Sequence, residues 1–444
     1  MIAYWFPPLK TVTLRSYYLY REWTKHFKKV TVITTYNRTK LPNEAAPVIE
    51  EDIETITTFD YRTVSSLLPS PKTHYSKTYR KQFSVRFFIR LLDSFPFNVL
   101  IGEGGFLYIL FGYFKAVQLT KKQQPTYLYS SFRPYADHLI AWLLKKKFPH
   151  LFWIADFRDL HIDHNFNQLY AVKFQRWCNR KIINQADLVT TVSEGLAEHL
   201  RKYKPPVYVL RNGYGQLFEN QVQQRQDAFQ IAYTGSIYES RQSPELLLKV
   251  IANLIQNNQI DEHKIKLIYA GKDGEFWKKW VTKFQLNTIF NDKSVVSRQA
   301  AIQIQQESHI NLLLSYADKK TKGILTGKVY EYFASNSAII ALITGEQDTE
   351  FEMIFKELNP GKLVYNEAKY EAELSEYLLS LYHEWEQNGC IQPTINKEKL
   401  KDYQWENTVP EFLEVCEKIK ATTDAQKSHL THQKSVLLTL NKTP

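Results

Sequence analysis

Segments typical of β-strands alternate with segments typical of α-helices along most of this chain. Short runs rich in β-branched residues predict strands in the first half at 2–6, 29–35, 127–131, 151–155, 188–192 and 207–210. Helical periodicity predicts helices between them at 13–27, 135–147, 167–185 and 194–203. The alternation resumes at residue 229. This order predicts an α/β fold with parallel sheets covered by helices on both faces.

A chain of 444 residues is too long for one ordinary core, so two or three domains are expected. From residue 214 to 228 the sequence becomes polar and loses its periodicity, which indicates a linker. We therefore predict one Rossmann-like domain at 1–213 and a second at 229–400. A helix at 401–420 is expected to pack back on the first domain. The polar tail at 421–444 is expected to be disordered.

The charge and the cysteine content limit the partners and the compartment. The net charge is +11, which favours an anionic partner such as a membrane surface or a phosphorylated small molecule. No zinc-finger spacing, RNP-like motif or Arg-rich arm occurs, which argues against nucleic acid. The three cysteines are widely spaced, and the N-terminus has no signal-peptide pattern. The expected location is the cytoplasm.

The region 77–119 has the composition expected of a membrane-contacting segment. Its first part interleaves Arg80, Lys81, Arg86 and Arg90 with aromatic residues, as basic amphipathic helices do. The apolar part that follows is interrupted by Glu103 and four glycines, so no membrane span is predicted. Peripheral contact with an anionic membrane and an ordinary α/β surface both stay open.

The stretch GILTGKVYEYFASNSAIIAL, residues 323–342, predicts a helix at about 328–335 followed by a buried strand. Lys328 and Glu331 are three residues apart on that helix and therefore share a face. A cation and a carboxylate presented together can bind a phosphate and a sugar diol. A surface ion pair of little energetic value is the alternative explanation.

Two glycine turns follow predicted strands of the second domain. In the first, Gly235 permits close backbone approach, and Ser236 and Arg241 can contact a diphosphate. The second turn contains Gly271. Because no GxxxxGK[ST] or complete GxGxxG occurs, the ATPase and dehydrogenase interpretations lose support. Together with the Lys328 helix, the turns predict a nucleotide-diphosphate site.

Polar residues in the first domain are candidates for catalysis. Asp159 follows the strand predicted at 151–155, next to Asp156, Arg158 and His161. His138 lies on the preceding helix. A carboxylate or imidazole at the mouth of a cleft can orient a hydroxyl nucleophile, whereas a helix cap and an Arg158–Asp156 pair are the structural alternatives. No DxD or paired-histidine spacing occurs, so no metal ligands are predicted.

Four segments, in this order and spacing, resemble the retaining GT-B glycosyltransferases of the family 4-like group that builds bacterial surface polysaccharides. They are YWFPPLKTVTLRSYYL with Arg15, the pair WIADFRDLH and ADLVTTVSEGLAEHL, IAYTGSIYESR, and GILTGKVYEYFASNSAIIAL. The resemblance implies two Rossmann-like domains facing a central cleft. The first would bind the acceptor and the second the donor.

The resemblance also implies the chemistry. The donor would be a UDP- or GDP-linked sugar, and the acceptor a hydroxyl of a lipid-linked oligosaccharide. Glu331 would bind the ribose, Arg241 and Lys328 the diphosphate, and the turns at Gly235 and Gly271 would approach diphosphate and base. Transfer would retain the anomeric configuration, without a bound metal or other cofactor, because cationic side chains and helix N-termini stabilise the leaving diphosphate.

Three departures from the family pattern limit this interpretation. Gly323 stands where many members have a first glutamate near the donor sugar, and Ser236 replaces an arginine. The opening loop has residues 9–13 in place of glycines. Two alternatives therefore stay open: a degenerate GT-B partner that binds sugar or lipid without turnover, and a nucleotide-sugar epimerase.

Overall fold

In a computed structural model of the protein, the chain forms two compact units of α/β structure. The structure describes residues 1–6, 14–35, 53–56, 91, 94, 97–100, 104–132, 134–160, 170–215, 223–225, 227–318, 322–323 and 325–440. Unit 1 comprises Met1–Val192, Leu196–Leu210 and Thr408–Pro444, and unit 2 comprises Ser193–Gly195 and Arg211–Asn407.

The described strands of unit 1 are all parallel. They are β1 (Val32–Thr35), β2 (Ile53–Ile56), β3 (Tyr127–Phe132), β4 (Phe152–Phe157), β5 (Leu188–Thr191) and β6 (Val207–Val209). β1 pairs with β2, and β3 to β6 pair in sequence order. Ile2 bridges to both Ile33 and Ser130, so the N-terminal segment lies between β1 and β3. The strand predicted at 2–6 is therefore reduced to two bridges made by one residue, Ile2.

The helices of unit 1 cover this sheet. In the described residues they are α1 (Leu14–His26), α2 (Phe97–Leu100), α3 (Phe106–Gln123), α4 (Tyr135–Lys147), α5 (Val172–Ile183) and α6 (Glu194–Leu200). The first two residues of α6 belong to unit 2. Most of the C-terminal helix, Trp405–Leu440, belongs to unit 1. The core contains Trp153 from β4, Ile140 from α4 and Tyr108 from α3. No helix in the described ranges is both long and apolar enough to cross a bilayer.

The described part of unit 2 is built on six parallel strands. They are β7 (Phe229–Thr234), β8 (Ile265–Ala270), β9 (Phe290–Asp292), β10 (Ile310–Ala317), β11 (Ala338–Gly345) and β12 (Gly361–Tyr365). Their order in the sheet is β12-β11-β10-β7-β8-β9. Counted from β7 this is the 3-2-1-4-5-6 order of the Rossmann fold, in which ligands bind at the switch point between the first and fourth strands. Here the switch point lies between β7 and β10.

Seven helices and three 3₁₀ turns complete the described part of unit 2. The helices are α7 (Glu245–Gln256), α8 (Gly274–Lys283), α9 (Arg298–Glu307), α10 (Gly327–Ala334), α11 (Thr349–Leu358), α12 (Glu371–Asn388) and α13 (Lys397–Leu400). α14 is the C-terminal helix (Trp405–Leu440). One face of the sheet buries Trp277, Leu247 and Leu378, and the other buries Phe333 and Tyr403.

The C-terminal tail differs from its prediction. Residues 421–440, expected to be disordered, continue α14. No glycine or proline occurs from residue 411 to 440, so nothing in the backbone interrupts the helix. The helix contacts unit 1, where the ring of Phe412 lies 5.5 Å from that of Tyr208. Apart from Leu91, the basic segment predicted at 77–92 lies outside the described residues, as does the loop at 9–13.

Candidate functional site

The carboxyl end of β7 turns sharply at Gly235. Its φ is +105°, a conformation that only glycine adopts readily, and its N–H donates to the Ala270 carbonyl at 2.7 Å. A Cβ on Gly235 would lie 2.9 Å from the Lys328 Nζ. The turn therefore brings bare backbone against a lysine ammonium at the switch point of the sheet. Ser236 follows in an exposed position.

Lys328 is the cation of this site. It stands in the first turn of α10, and its Nζ lies 4.2 Å from the centroid of the Tyr233 ring. Burial lowers the pKa of Lys328 to about 8, although the carboxylates of Glu331 and Asp273 favour the ammonium. An anionic ligand would restore the ordinary pKa, because it stabilises the charged form.

The second glycine turn is fixed by hydrogen bonds around Asp273. The Asp273 N–H donates to the Tyr269 hydroxyl at 2.7 Å, and its carboxylate accepts from the Ile237 N–H at 2.9 Å. A Cβ on Gly271 would overlap the Tyr269 hydroxyl and the Gly235 carbonyl. The turns at Gly235 and Gly271 are therefore in direct contact, and neither accommodates a side chain.

Glu331 lies one turn after Lys328 but is paired with another cation. Its Oε1 accepts from Arg298 Nη1 at 2.6 Å, and its Oε2 accepts a long contact of 3.4 Å from Gln305. The Glu331 side chain remains 18% exposed. A carboxylate has about four acceptor positions, so capacity remains for a ligand hydroxyl.

Arg298 was missed by the sequence predictions. It begins α9 directly after Ser297, whose hydroxyl accepts from the Ala300 N–H at 3.2 Å. The helix cap was visible in the sequence, but the pairing across 33 residues was not. Asp273 and Tyr269 were missed for the same reason, because each is brought to the site by sheet pairing.

Arg241 lies in the loop after β7, close to the end of β10. Its Nη1 lies 3.3 Å from Asp318 Oδ2, and its guanidinium lies 4.8 Å from the centroid of the Tyr316 ring. The Arg241 side chain is 24% exposed. Both Arg241 and Gly235 therefore lie at the switch point between β7 and β10.

Gly323 has a conformational reason to be glycine. Its φ is +65°, and its N–H donates to Asp348 at 2.9 Å. A Cβ at this position would overlap the Glu350 carboxylate, which is itself paired with Arg211. A glutamate at residue 323 would place two carboxylates together in the present structure, which like-charge repulsion disfavours.

Comparison with solved structures relates this architecture to known proteins. Sucrose-phosphate synthase from Thermosynechococcus elongatus matches with a TM-score of 0.55 at 13% identity, over 93% of this chain and 94% of that chain. A glycosyltransferase from Rickettsia africae ESF-5 matches with a TM-score of 0.54 at 14% identity, over 94% and 98%. Trehalose 6-phosphate synthase from Burkholderia multivorans gives 0.54 at 10%, over 95% and 98%.

The chain has the GT-B fold. No family profile matches it, and no curated protein matches it by sequence. At identities of 10–14% the likeness concerns the fold alone. The α/β prediction with two Rossmann-like domains is confirmed.

In the first GT-B unit, Asp156 forms a buried ion pair with Arg15. Arg15 Nη2 donates to Asp156 Oδ1 at 2.8 Å and Nε donates to Oδ2 at 3.1 Å. Thr190 donates to Oδ1 at 2.8 Å. Burial raises the pKa of Asp156, but Arg15 and the other donors outweigh it and hold that pKa below its usual value. The Arg158–Asp156 pairing considered from the sequence is replaced by the Arg15 pair.

The two catalytic candidates of this unit occupy different environments. His138 is fully buried, and its Nδ1 lies 2.8 Å from the Ser130 hydroxyl, which also accepts from the Trp153 indole. This is a core position rather than a surface that a ligand reaches. Asp159 is exposed in the turn after β4. His161 lies outside the described residues.

Proposed function

We propose that this chain is a glycosyltransferase that moves a sugar from a nucleotide diphosphate donor to a hydroxyl acceptor. One observation carries the proposal: at the switch point of the unit 2 sheet, the Lys328 ammonium faces the side-chain-free turn at Gly235. A cation, bare backbone and a helix N-terminus meeting at this place are the elements of a diphosphate site.

Each described residue has a role in this proposal. Lys328 and Arg241 neutralise the charge that grows on the leaving diphosphate, assisted by the N-terminal end of α10. Glu331 accepts hydroxyls of the ribose while Arg298 holds its carboxylate in place. Tyr269 and Asp273 keep the two turns in contact and therefore fix the backbone that approaches the ligand.

The finer parts of the proposal come from the resemblance noted in the sequence. The donor base is uracil or guanine, transfer retains the anomeric configuration, and no metal is required. Asp159 orients the acceptor, which is a lipid-linked oligosaccharide of polysaccharide biosynthesis. Such an acceptor brings the protein to the inner face of a bacterial plasma membrane.

Calorimetric titration with UDP, GDP and ADP, in the presence of EDTA, tests the donor site. We expect one of these nucleotides to bind, and Lys328→Ala and Glu331→Ala each to weaken it by about 1–3 kcal/mol, the value of a charge-assisted hydrogen bond. Lys356→Ala removes an exposed lysine of α11 in the same unit and should leave affinity unchanged. Unchanged affinity in both site variants would exclude this donor site.

Incubation with the matching nucleotide sugar and lipid-linked acceptors tests the reaction. We expect nucleotide release to depend on the acceptor, and NMR of the product to show the anomeric configuration of the donor. Nucleotide binding without transfer to any acceptor would favour the degenerate partner. A free isomerised sugar formed without acceptor would favour the epimerase.

A further inference from the structure

The outward face of α5 combines large aromatic rings with cations. Trp177 is 54% exposed and Phe174 is 45% exposed, and their rings stack with centroids 5.7 Å apart. The Lys181 Nζ lies 5.0 Å from the centroid of the Trp177 ring. Two stacked aromatic rings held in solvent leave a large apolar area in water, which is typical of an interaction surface.

Four cations and no carboxylate occupy this helix. We define the α5 face as its six exposed residues, Lys173, Phe174, Arg176, Trp177, Arg180 and Lys181. At about 100° per residue these positions cover an arc of about 160°, with Trp177 near its middle and cations on both sides. The opposite side of the helix is buried through Gln175, Asn179 and Ile182. The α5 face is therefore continuous and directed away from the core.

Further cations adjoin the α5 face. Lys204 lines a shallow depression of about 320 Å³ together with Trp177, Arg180 and Lys181. Burial, together with the positive charges of Arg176 and Arg180, lowers the pKa of Lys202. Within the described part of the chain, no acidic residue pairs with Lys181 or Arg180. Crowded like charges cost free energy that an anionic partner would relieve.

We propose that the α5 face docks on an anionic lipid surface. Trp177 and Phe174 would enter the interfacial layer, where amphipathic aromatic rings are favoured, while the surrounding cations contact lipid phosphates. A free phosphate would need the cations but not the exposed rings. This docking surface lies in unit 1 and does not depend on the donor site.

Sedimentation with vesicles tests the proposal on the full chain. We expect binding to phosphatidylcholine vesicles containing roughly one-third phosphatidylglycerol, little binding to phosphatidylcholine alone, and release by added salt. Arg180→Glu/Lys181→Glu should weaken binding at least about thirtyfold, since each charge near such a surface contributes about fivefold. Trp177→Ser should weaken binding while leaving its salt dependence in place, because it removes the apolar contribution only.

Two controls decide between outcomes. Lys356→Glu/Lys397→Glu makes the same charge change at exposed positions of unit 2 and should bind vesicles like the unaltered chain. Nucleotide affinity should be equal in all variants, which separates a failure here from a failure of the donor site. Absence of vesicle binding by the unaltered chain, or equal binding by the α5 variants, would overturn the proposal. The proposal would also be overturned if the α5 variants lost binding to a soluble polyanion while their vesicle binding stayed unchanged.

Discussion

The depressed pKa of Lys328 predicts that nucleotide binding takes up a proton. In the free protein this pKa is about 8, against about 10.4 for an ordinary lysine, because the amine is shielded from water beside Tyr233 and Gly235. A diphosphate favours the ammonium and returns the pKa to 10 or above, by roughly two units. At pH 9 only about a tenth of free sites carry the ammonium, so affinity should be about tenfold weaker than at pH 7.

Calorimetric titration from pH 7 to 9.5, in two buffers of different ionisation enthalpy, measures the nucleotide affinity and the number of protons taken up on binding. Proton uptake should rise from nearly none at pH 7 towards one per site above pH 8. Lys328→Arg is the matched control, because arginine stays charged over this range and any remaining pH dependence belongs to the nucleotide. Equal affinity at pH 7 and 9 without proton uptake would refute the placement of the diphosphate beside Lys328.

Three further perturbations test the structure. Gly235→Ala should weaken nucleotide binding in titration, because a side chain strains a backbone with φ +105° and its Cβ, 2.9 Å from the Lys328 Nζ, would displace the ammonium, whereas Lys356→Ala should bind normally. Burial lowers the pKa of His309 to about 4. Below about pH 6.5 this histidine binds a proton in the unfolded chain but not in the native chain, so the free energy of unfolding falls as the pH goes from 6.5 to 4, by about 3 kcal/mol in full. Urea midpoints of His309→Asn should lack this fall. Asp156→Ala leaves the Arg15 guanidinium buried without its carboxylate and should cost about 3–5 kcal/mol in urea unfolding, and an unchanged midpoint would contradict the pairing.

Elements with strong periodicity could be predicted almost to the residue. The helix at 135–147 has the bounds predicted from its helical spacing, and the strands predicted at 127–131 and 188–192 each differ from the observed bounds by one residue. β9 and β12 were missed because they are short edge strands, which pairing to a neighbour defines better than composition does. The disordered tail was predicted from polarity, but that composition is also compatible with the continuation of a long helix.

Some features of the candidate site could likewise be predicted from the sequence, and others could not. The shared face of Lys328 and Glu331 follows from helical geometry, and the glycine turns follow from residue type, so the sequence by itself determined both. Only the tertiary structure decided that Lys328 faces Gly235 and that Glu331 pairs with Arg298. It also placed His138 in the core. Local spacing fixes which side chains share an element, whereas strand order fixes which elements meet, and strand order depends on contacts between residues far apart in the chain.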